Sequence, residues 1–415
     1  MSEIKNLAAN ACAAYHEFLK NASNSIKNSI LNTIADQLEI QKKTIISENN
    51  KDLEAGKQTK LTTAFLDRLA LNEKRIKGMI DSCHEIALLP DPVGRIDHMT
   101  VRPAGLKVGQ MRVPIGVIGI IYEARPNVTV EAAALCVKSG NAVILRGGSN
   151  AFHSNMALIN ILQNALKKNN VNPFLISAIQ STDRSAVDEL LVQDETVHLI
   201  IPRGGESLIR SVVEKSRIPV LKHYKGVCHV YVHRQADLKQ ATDIVLNAKI
   251  QRPAVCNSME TLLIDESLAE QFLPDLIKKL QEKGVEIRGC SRTRALAANV
   301  TAATDEDYFA EFLDLILAVK VVKDIDEAIE HITQYGSAHT DAIVTENIGA
   351  AKRFINRVDS ASVMVNASTR LSDGGVYGLG AEIGISTDKL HARGPMGLEG
   401  LTTYKWIVLG DGHIR

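Results

Sequence analysis

The amino-acid sequence predicts an α/β fold built on two parallel sheets, with a smaller β arm. Compact apolar runs, each followed by a helical pattern, occur at residues 116–122, 142–145, 175–179 and 197–201. This alternation is typical of parallel strands joined by crossover helices. A second series of alternating strand and helix patterns begins near Tyr224 and runs to Val365. A chain of 415 residues with 45% hydrophobic content is too long to fold around a single hydrophobic core, so we expect two α/β domains.

The residues before the first apolar run predict helices and then a hairpin. Aliphatic residues recur at four-residue steps at positions 26, 30, 34 and 38, and a similar helical pattern follows Asn72, a residue type that favours a helix start. Within 95–112, short alternating segments are broken by Gly105 and Gly109. This pattern indicates a β-hairpin.

The composition argues against several classes of protein. Lys+Arg and Asp+Glu balance at 48 each, so no net charge favours nucleic acid or an anionic membrane as a partner. The six cysteines are scattered without a C-x-x-C pair, which argues against a disulfide framework or a structural zinc site. The chain shows neither an export signal nor a run of eighteen apolar residues. We expect a cytoplasmic protein.

Cys256 is the candidate nucleophile. A helical pattern through Ala241, Val245 and Ala248 is ended by Pro253, which places Cys256 on a loop or at a helix start. Backbone N–H groups at such a position can stabilise a thiolate and bind an oxyanion. The alternative is an unreactive cysteine in the core, a common location for this residue type.

A glycine pair is the candidate phosphate-binding turn. Gly204 and Gly205 stand where an apolar strand pattern passes into a helical one, and glycine lets backbone N–H groups approach a pyrophosphate. No G-x-G-x-x-G occurs, so the usual dinucleotide fingerprint is absent. The alternative is a tight connection without a ligand.

A histidine-rich segment raises the alternative of a metal-dependent hydrolase. His223, Cys228, His229 and His233 lie within eleven residues. Along a strand, His229 and His233 share one face while Cys228 points to the other, so three ligands do not converge easily. We therefore expect no metal.

Residues 251–263, Gln-Arg-Pro-Ala-Val-Cys-Asn-Ser-Met-Glu-Thr-Leu-Leu, resemble the catalytic-cysteine block of the glutamate-5-semialdehyde dehydrogenases, also called γ-glutamyl phosphate reductases. These enzymes are a branch of the aldehyde dehydrogenase superfamily. Further similar segments at 114–148, 337–347 and 365–406 extend the resemblance over most of the chain. It implies a dinucleotide-binding domain (1–94 and 113–223), a catalytic domain (224–390) and an oligomerisation arm (95–112 and 398–415).

The resemblance implies reduction of L-glutamyl 5-phosphate to L-glutamate 5-semialdehyde and phosphate in proline biosynthesis. Cys256 would expel phosphate to form a thioester, which hydride from the cofactor reduces. Hydrolytic aldehyde dehydrogenases carry a glutamate that activates water, but His223 stands at that position here. A missing carboxylate base fits an enzyme that keeps water from its acyl intermediate. A hydrolytic aldehyde dehydrogenase with His223 as base stays open as an alternative.

The resemblance also implies an NADP(H) cofactor. Where the superfamily has a ribose-binding lysine and a glutamate that excludes a 2′-phosphate, this chain has Arg146 and Ser149. An arginine fork suits a phosphate, and a serine removes the repulsive charge. Gly204 and Gly205 are the expected pyrophosphate contacts, and Glu311 matches a glutamate that binds the nicotinamide ribose. The alternative for Arg146 is a surface ion pair that has no role in cofactor binding.

The remaining site residues follow from the matched segments. Asn127 would supply the side-chain half of the oxyanion hole. The α-amino and α-carboxylate groups of a glutamyl substrate need charges of both signs. Four charged residues in the matched segments are the candidates, and each could instead be a solvated loop charge: Glu123, Arg125, Arg370 and Asp373.

The superfamily resemblance implies a homo-oligomer, because its arm pairs with a partner subunit and with the last strand, here near 402–409. It also implies transient handover of the acyl phosphate from glutamate 5-kinase. A third class, an inactive binding or scaffold protein on this fold, is disfavoured by the intact cysteine block.

Overall fold

The computed structural model of the chain describes residues 2–123 and 125–415. Its α-helices run as follows: α1 Glu3–Leu19, α2 Asn24–Ile40, α3 Lys42–Gln58, α4 Thr63–Leu69, α5 Glu73–Leu88, α6 Asn127–Lys138, α7 Phe152–Lys168, α8 Ser185–Leu190, α9 Glu206–Lys215, α10 Leu238–Ile250, α11 Glu266–Glu282, α12 Ser291–Leu296, α13 Asp305–Phe309, α14 Ile325–Tyr335 and α15 Ile348–Arg357. Short 3₁₀ turns lie at Ser149–Ala151, Pro173–Leu175, Thr369–Leu371 and Glu399–Leu401. Asn72, expected at a helix start, caps α5 by accepting from the N–H of Arg75.

The strands are β1 Ile96–Val101, β2 Lys107–Pro114, β3 Val117–Tyr122, β4 Ala142–Gly147, β5 Ile176–Ala178, β6 Leu199–Arg203, β7 Cys228–Val232, β8 Met259–Asp265, β9 Glu286–Gly289, β10 Thr301–Ala302, β11 Ile316–Val322, β12 Thr340–Val344, β13 Ser362–Val365, β14 Ile385–Ser386, β15 Gly394–Pro395 and β16 Thr402–Leu409. They form a four-stranded and a seven-stranded parallel sheet, a three-stranded antiparallel sheet and a short β14–β15 pair.

The four apolar runs of the N-terminal half form the four-stranded sheet, in the order β5-β4-β3-β6. All of its pairings are parallel. Every residue of β3 is buried, as expected for a central strand covered by helices on both faces. The predicted α/β architecture is confirmed here.

The second half forms the seven-stranded parallel sheet, in the order β10-β9-β11-β8-β7-β12-β13. Neighbouring residues of one strand, such as Leu262 and Leu263, belong to separate apolar clusters. Successive side chains of a strand point to opposite faces, so the sheet lies between two helical layers. Strands β9 and β10 are not predicted by the sequence pattern, because neither is an apolar run.

The arm is a three-stranded antiparallel sheet in which β2 pairs with β1 and with β16. β16 has the bounds expected from the sequence. Tyr404, Trp406 and Val408 of this strand are 55%, 65% and 56% exposed.

Contacts divide the chain into two compact units. Unit 1 comprises 1–222, 378–384 and 396–415, and unit 2 comprises 223–377 and 385–395. The four-stranded sheet and the arm belong to unit 1, and the seven-stranded sheet belongs to unit 2. Within the described residues, the helices are all too short or too polar to cross a membrane.

Candidate active site

Cys256 lies in a turn between helix α10 and strand β8. The helix ends before Pro253, as expected where proline withholds a backbone donor. The N–H of Ser258 donates to the carbonyl of Val255 at 3.0 Å, and the chain then enters β8 directly. The sequence predicted that Cys256 lies either on a loop or at the start of a helix. The structure shows the loop, so a helix N-terminus does not contribute to thiolate stabilisation.

The start of strand β7 holds the Cys256 turn in place. Gly226 packs so closely that a Cβ atom there would overlap the carbonyl group of Cys256, so only glycine fits. The thiol of Cys228 donates to the same carbonyl oxygen at 3.2 Å. Burial, with the charge of Asp341 adding to it, raises the pKa of Cys228. Cys228 therefore stays protonated and acts as a structural donor.

The other cysteines differ from Cys256 in their surroundings. Burial raises the pKa of Cys12, of Cys83 (to about 12) and of Cys136. Cys290, at the end of β9, is half-buried, like Cys256. Burial alone would raise its pKa, but hydrogen bonds from Thr293 and from backbone N–H groups outweigh burial and lower it. Cys290 is therefore the other cysteine whose surroundings favour a thiolate, and it is the alternative candidate for the nucleophile.

Two imidazoles accompany the thiol of Cys256. One ring nitrogen of His223, one of His339 and the Sγ of Cys256 all lie within 4.8 Å of one another. The two rings meet edge to face, with centroids 5.6 Å apart. Nδ1 of His223 lies 2.8 Å from the carbonyl oxygen of Ile385, which can only accept. Nδ1 therefore carries a proton, so Nε2 is the proton acceptor whenever the ring is neutral.

His339 is completely buried. Its Nδ1 lies 2.9 Å from Oγ1 of Thr340 and 3.7 Å from Sγ of Cys228. Its Nε2 has no hydrogen-bond partner among the described residues. Burial, and next the charge of His223, lower the pKa of His339 to about 3. At neutral pH this imidazole is neutral.

A buried ion pair supports the loop that carries Glu311. Nζ of Lys249 lies 2.6 Å from Oε2 of Glu260, and both side chains are fully buried. Burial raises the pKa of Glu260 to about 7, although Lys249 opposes this shift. Oε1 of Glu260 accepts from the N–H of Leu313 at 3.3 Å, and Glu311 accepts from the N–H of Gly226 at 2.8 Å. The pair thus connects the Glu311 loop with the strand that follows Cys256.

Arg370 lies against the Cys256 turn. Its Nε donates to Oε1 of Gln251 at 2.8 Å, and its Nη1 donates to Oδ1 of Asn257. Burial, and next the charge of Arg252, lower the pKa of Arg370. Two guanidinium groups close to one turn favour an anion there. Asp373 is an exposed residue, and its Oδ1 accepts from two backbone N–H groups of the following turn, at 2.9 and 3.3 Å.

In unit 1, Arg146 lies near the end of strand β4. Its Nη2 donates to the carbonyl of Thr182 at 3.2 Å, while its buried Nε has no partner among the described residues. Burial, and next the charge of Arg184, lower the pKa of Arg146. Ser149 and Thr182 line an adjacent pocket. An unsatisfied guanidinium donor next to a second guanidinium is suited to a phosphate group.

Gly204 and Gly205 connect β6 to α9 and are both exposed. A Cβ atom at Gly204 would lie 2.7 Å from side-chain atoms of both Glu123 and Leu208, so these two side chains would have to move to admit a larger residue. Gly205 occupies the N-cap of α9 without a side-chain cap. Glycine has no side chain that could cap the first-turn N–H groups, so this helix start is suited to an anion.

The segment after β3 carries the remaining candidates. Glu123 and Arg125 are exposed, and Glu123 donates its N–H to the carbonyl of Arg203 at 3.0 Å. Asn127 begins α6, and its Nδ2 donates to Oε1 of Glu131 at 3.1 Å. These candidates belong to unit 1 and Cys256 to unit 2. Their roles at the substrate stay predictions.

Two histidines of the histidine-rich segment have side-chain contacts of their own. Nδ1 of His229 lies 2.8 Å from Oδ1 of Asp341, and Nδ1 of His233 lies 2.8 Å from Oγ1 of Thr345. One nitrogen of each ring is thus engaged by a side chain on strand β12 or directly after it.

Three features of the structure were not predicted from the sequence. His339 lies in the matched segment 337–347, directly before a strand, which was a usable signal. Lys249 and Glu260 stand among apolar residues of a helix and a strand, a pattern that signals a buried pair. The proximity of Arg184 to Arg146 has no local signal, because only the fold brings them together.

Comparison with known proteins identifies the family. Residues 1–287 match the model of the aldehyde dehydrogenase family. The gamma-glutamyl phosphate reductases of Thermodesulfovibrio yellowstonii and Carboxydothermus hydrogenoformans are 55% and 54% identical to the chain, and each match covers 100% of both sequences. The solved structure of the gamma-glutamyl phosphate reductase of Thermotoga maritima superposes with a TM-score of 0.98 at 47% identity, covering 100% of both chains.

These findings confirm the resemblance noted in the cysteine block and do not favour a metal-dependent hydrolase. The chain belongs to the aldehyde dehydrogenase family, within the branch of the gamma-glutamyl phosphate reductases.

Proposed function

We propose that the protein reduces L-glutamyl 5-phosphate to L-glutamate 5-semialdehyde and phosphate, with NADPH as reductant and a thioester on Cys256 as intermediate. The reaction serves proline biosynthesis. The observation that carries this proposal is the full-length identity of 54–55% to curated gamma-glutamyl phosphate reductases. The geometry around Cys256 supports the choice of nucleophile.

The first step is acyl transfer. The Cys256 thiolate attacks the carbonyl carbon of the acyl phosphate and forms a C–S bond, and the C–O bond to phosphate breaks. Phosphate leaves with the bonding electron pair, so the product is a thioester on Cys256. The alcohol of a serine would be a far weaker nucleophile than the thiolate.

The second step converts the thioester to the aldehyde. Bound NADPH supplies a hydride. With the hydride on the carbonyl carbon, the oxyanion takes up a proton to give a thiohemiacetal on Cys256. Transfer of that proton back and cleavage of the C–S bond release the aldehyde and regenerate the thiolate.

His223 is the group in unit 2 suited to exchange these protons. The carbonyl of Ile385 fixes the tautomer that leaves Nε2 as an acceptor, and a ring nitrogen of His223 lies within 4.8 Å of Sγ of Cys256. We assign to Nε2 the removal of the thiol proton.

Arg370 and Asp373 hold the amino-acid end of the substrate in this proposal. Arg370, with Arg252 close by, provides positive charge for the α-carboxylate. Asp373 provides negative charge for the α-amino group. Its place after the Arg370 turn and its position as an exposed residue support this role. Glu123, Arg125 and the oxyanion-hole residue Asn127 complete the proposed set.

The residues present fit an NADP(H) cofactor, and membership of the aldehyde dehydrogenase family supports a nicotinamide cofactor in general. The unsatisfied Nε of Arg146 and the nearby charge of Arg184 suit a 2′-phosphate, and Ser149 adds no negative charge. Gly204 and Gly205 present the uncapped start of α9 to a pyrophosphate. Glu311 stays the proposed partner of the nicotinamide ribose.

We further propose that the protein is a homo-oligomer of the cytoplasm that receives its acyl phosphate from glutamate 5-kinase. The support is the arm, in which β1 and β16 are the outer strands of a small sheet and carry exposed apolar side chains. Sedimentation at micromolar concentration should show at least a dimer. A species of one chain mass would contradict this part of the proposal.

A spectrophotometric assay of the reverse reaction tests the function. Glutamate 5-semialdehyde and NADP⁺ should yield NADPH only when inorganic phosphate is present, because phosphate must cleave the thioester. Phosphate-independent turnover would instead indicate a hydrolytic aldehyde dehydrogenase. Failure to bind NADPH or to turn over the aldehyde would revive the scaffold alternative.

A further inference from the structure

Cys256, His223 and His339 form a group of three side chains that the proposed reaction does not use together. Their ligand atoms lie within 4.8 Å of one another, and all three residues belong to unit 2. His339 is completely buried, and its Nε2 has no hydrogen-bond partner within the described part of the chain. A buried polar atom without a partner is costly, so its persistence in a native site calls for an explanation.

The chemistry of the group matches the preferences of a soft divalent cation. Thiolate sulfur and neutral imidazole nitrogen are the ligands that Zn²⁺ favours, and three protein ligands leave a fourth position open. Nδ1 of His223 donates to the carbonyl of Ile385, which leaves Nε2 of the neutral ring as the nitrogen with a lone pair for a metal. A carbonyl partner on the second ring nitrogen is the usual support of a metal-binding histidine.

The distances are compatible with capture of a cation after a small movement. Zn–S bonds of about 2.3 Å and Zn–N bonds of about 2.0–2.1 Å bring the ligand atoms to roughly 3.3–3.7 Å from one another. The separations observed here are at most 4.8 Å. Cys256 and His223 are only half-buried, so rotation of their side chains can close the difference.

We propose that Cys256, His223 and His339 bind a soft divalent cation, Zn²⁺ above all, and that the bound ion reversibly blocks the enzyme. The sulfur lone pair that attacks the acyl phosphate would be engaged by the metal. The metal site rests on the arrangement of the three side chains. Only the inhibition rests on the proposed function, because it requires Cys256 to be the nucleophile.

Metal binding is measured first, on the full chain without substrate. Co²⁺ serves as a coloured substitute for Zn²⁺, because a thiolate ligand gives it a strong sulfur-to-metal absorption band. We expect one Co²⁺ per chain with this band, and displacement of Co²⁺ by one equivalent of Zn²⁺. Absence of the band, or binding without defined stoichiometry, would overturn the site.

The variants Cys256→Ser, His223→Gln and His339→Asn assign the ligands. Cys256→Ser should abolish the sulfur band, and each histidine variant should weaken Zn²⁺ binding by at least the roughly 10–100-fold that loss of an outer-shell partner costs. His331→Asn is the matched control, since His331 is also a buried histidine of unit 2 with an unpartnered Nε2 within the described residues. It should bind like wild type. If the His339→Asn variant does not fold, the Zn²⁺ affinity of the His223→Gln variant decides whether histidines of this group are ligands.

Activity is measured second. Zn²⁺ should inhibit wild type at the concentration that fills the site, and a chelator should restore activity. A Co²⁺ band that Cys256→Ser abolishes, together with full activity of the Zn²⁺-loaded enzyme, would retain the metal site but refute the inhibition and the role of Cys256. Inhibition without the band would refute the site and leave the proposed reaction standing.

Discussion

The two parallel sheets carry their candidate residues at opposite edges. In unit 1, Glu123, Arg146 and Gly204 lie at or after the carboxyl ends of β3, β4 and β6. In unit 2, four residues precede the amino ends of four strands that are neighbours in the sheet: His223 before β7, Cys256 before β8, Glu311 before β11 and His339 before β12. Unit 1 follows the general rule for ligand sites in α/β sheets, and unit 2 departs from it.

The edge determines which groups can stabilise an anion. Crossover helices begin at the carboxyl edge of a parallel sheet, so α6, α7 and α9 present N–H groups and positive partial charge in unit 1. The same helices end at the amino edge. In unit 2, α10 thus directs carbonyl groups toward the turn of Cys256. The stabilisation of a thiolate or carboxylate at this turn therefore depends on side chains such as Arg252 and Arg370. We thus expect single substitutions in unit 2 to have larger effects on activity than single substitutions in unit 1.

The largest expected effect comes from the nucleophile. Cys256→Ala should reduce turnover at least about 1,000-fold while NADPH binding persists, because removal of a nucleophile costs some hydrolases about 10⁶-fold. The phosphate-dependent assay and cofactor titration measure the two quantities.

Cys290→Ser is the matched control, because Cys290 is the half-buried thiol at the carboxyl edge of the same sheet. Its activity should stay close to wild type. The reverse outcome, an inactive Cys290 variant and an active Cys256 variant, would restore the carboxyl-edge rule for unit 2.

The sequence predicted more of unit 1 than of the site in unit 2. Apolar runs such as 116–122 mark buried parallel strands by composition, and Cys256 could be recognised by its local motif. The proximity of His223 and His339 depends on the pairing of β7 with β12, and strand order is not written in any local pattern. Short strands of mixed polarity, such as Glu286–Gly289, also lack a periodic signal.

The second expected effect concerns stability at the amino edge. Glu260→Gln should leave the buried ammonium of Lys249 without a counter-charge and lower the free energy of unfolding by about 3–5 kcal/mol. The midpoint of urea unfolding measures the change. Glu286→Gln, which removes an exposed partner of Arg288 in the same unit, should stay within about 0.5 kcal/mol of wild type. Equal shifts of the urea midpoint for both variants would show that the Lys249–Glu260 pair does not stabilise the fold more than an exposed ion pair does.

The third effect tests His223 as the proton acceptor. His223→Gln should lower turnover about 100-fold, the lower end of what a general base contributes, with little change in the KM for the substrate. Raising the pH should recover part of the loss, because the thiol then ionises without a base. A variant with the pH profile of wild type would show that His223 does not exchange the proton. His391→Gln, at an exposed position of unit 2, provides the control.

The smallest effects are expected at the carboxyl edge of unit 1, because backbone N–H groups there can bind an anion together with the side chains. Arg146→Gln should raise the KM for NADPH about tenfold, because a hydrogen bond to a charged group contributes about 1.5–3 kcal/mol and Arg184 remains. Arg184→Gln should cost less, since this guanidinium is exposed and screened by salt. Neither variant should change the KM for NADH, which lacks the 2′-phosphate, and Arg217→Gln in the same unit is the exposed control. Equal losses for NADPH and NADH would place these arginines away from the 2′-phosphate. A loss as large as that of Cys256→Ala would show that unit 1, too, depends on single side chains, and the contrast between the two edges would fail.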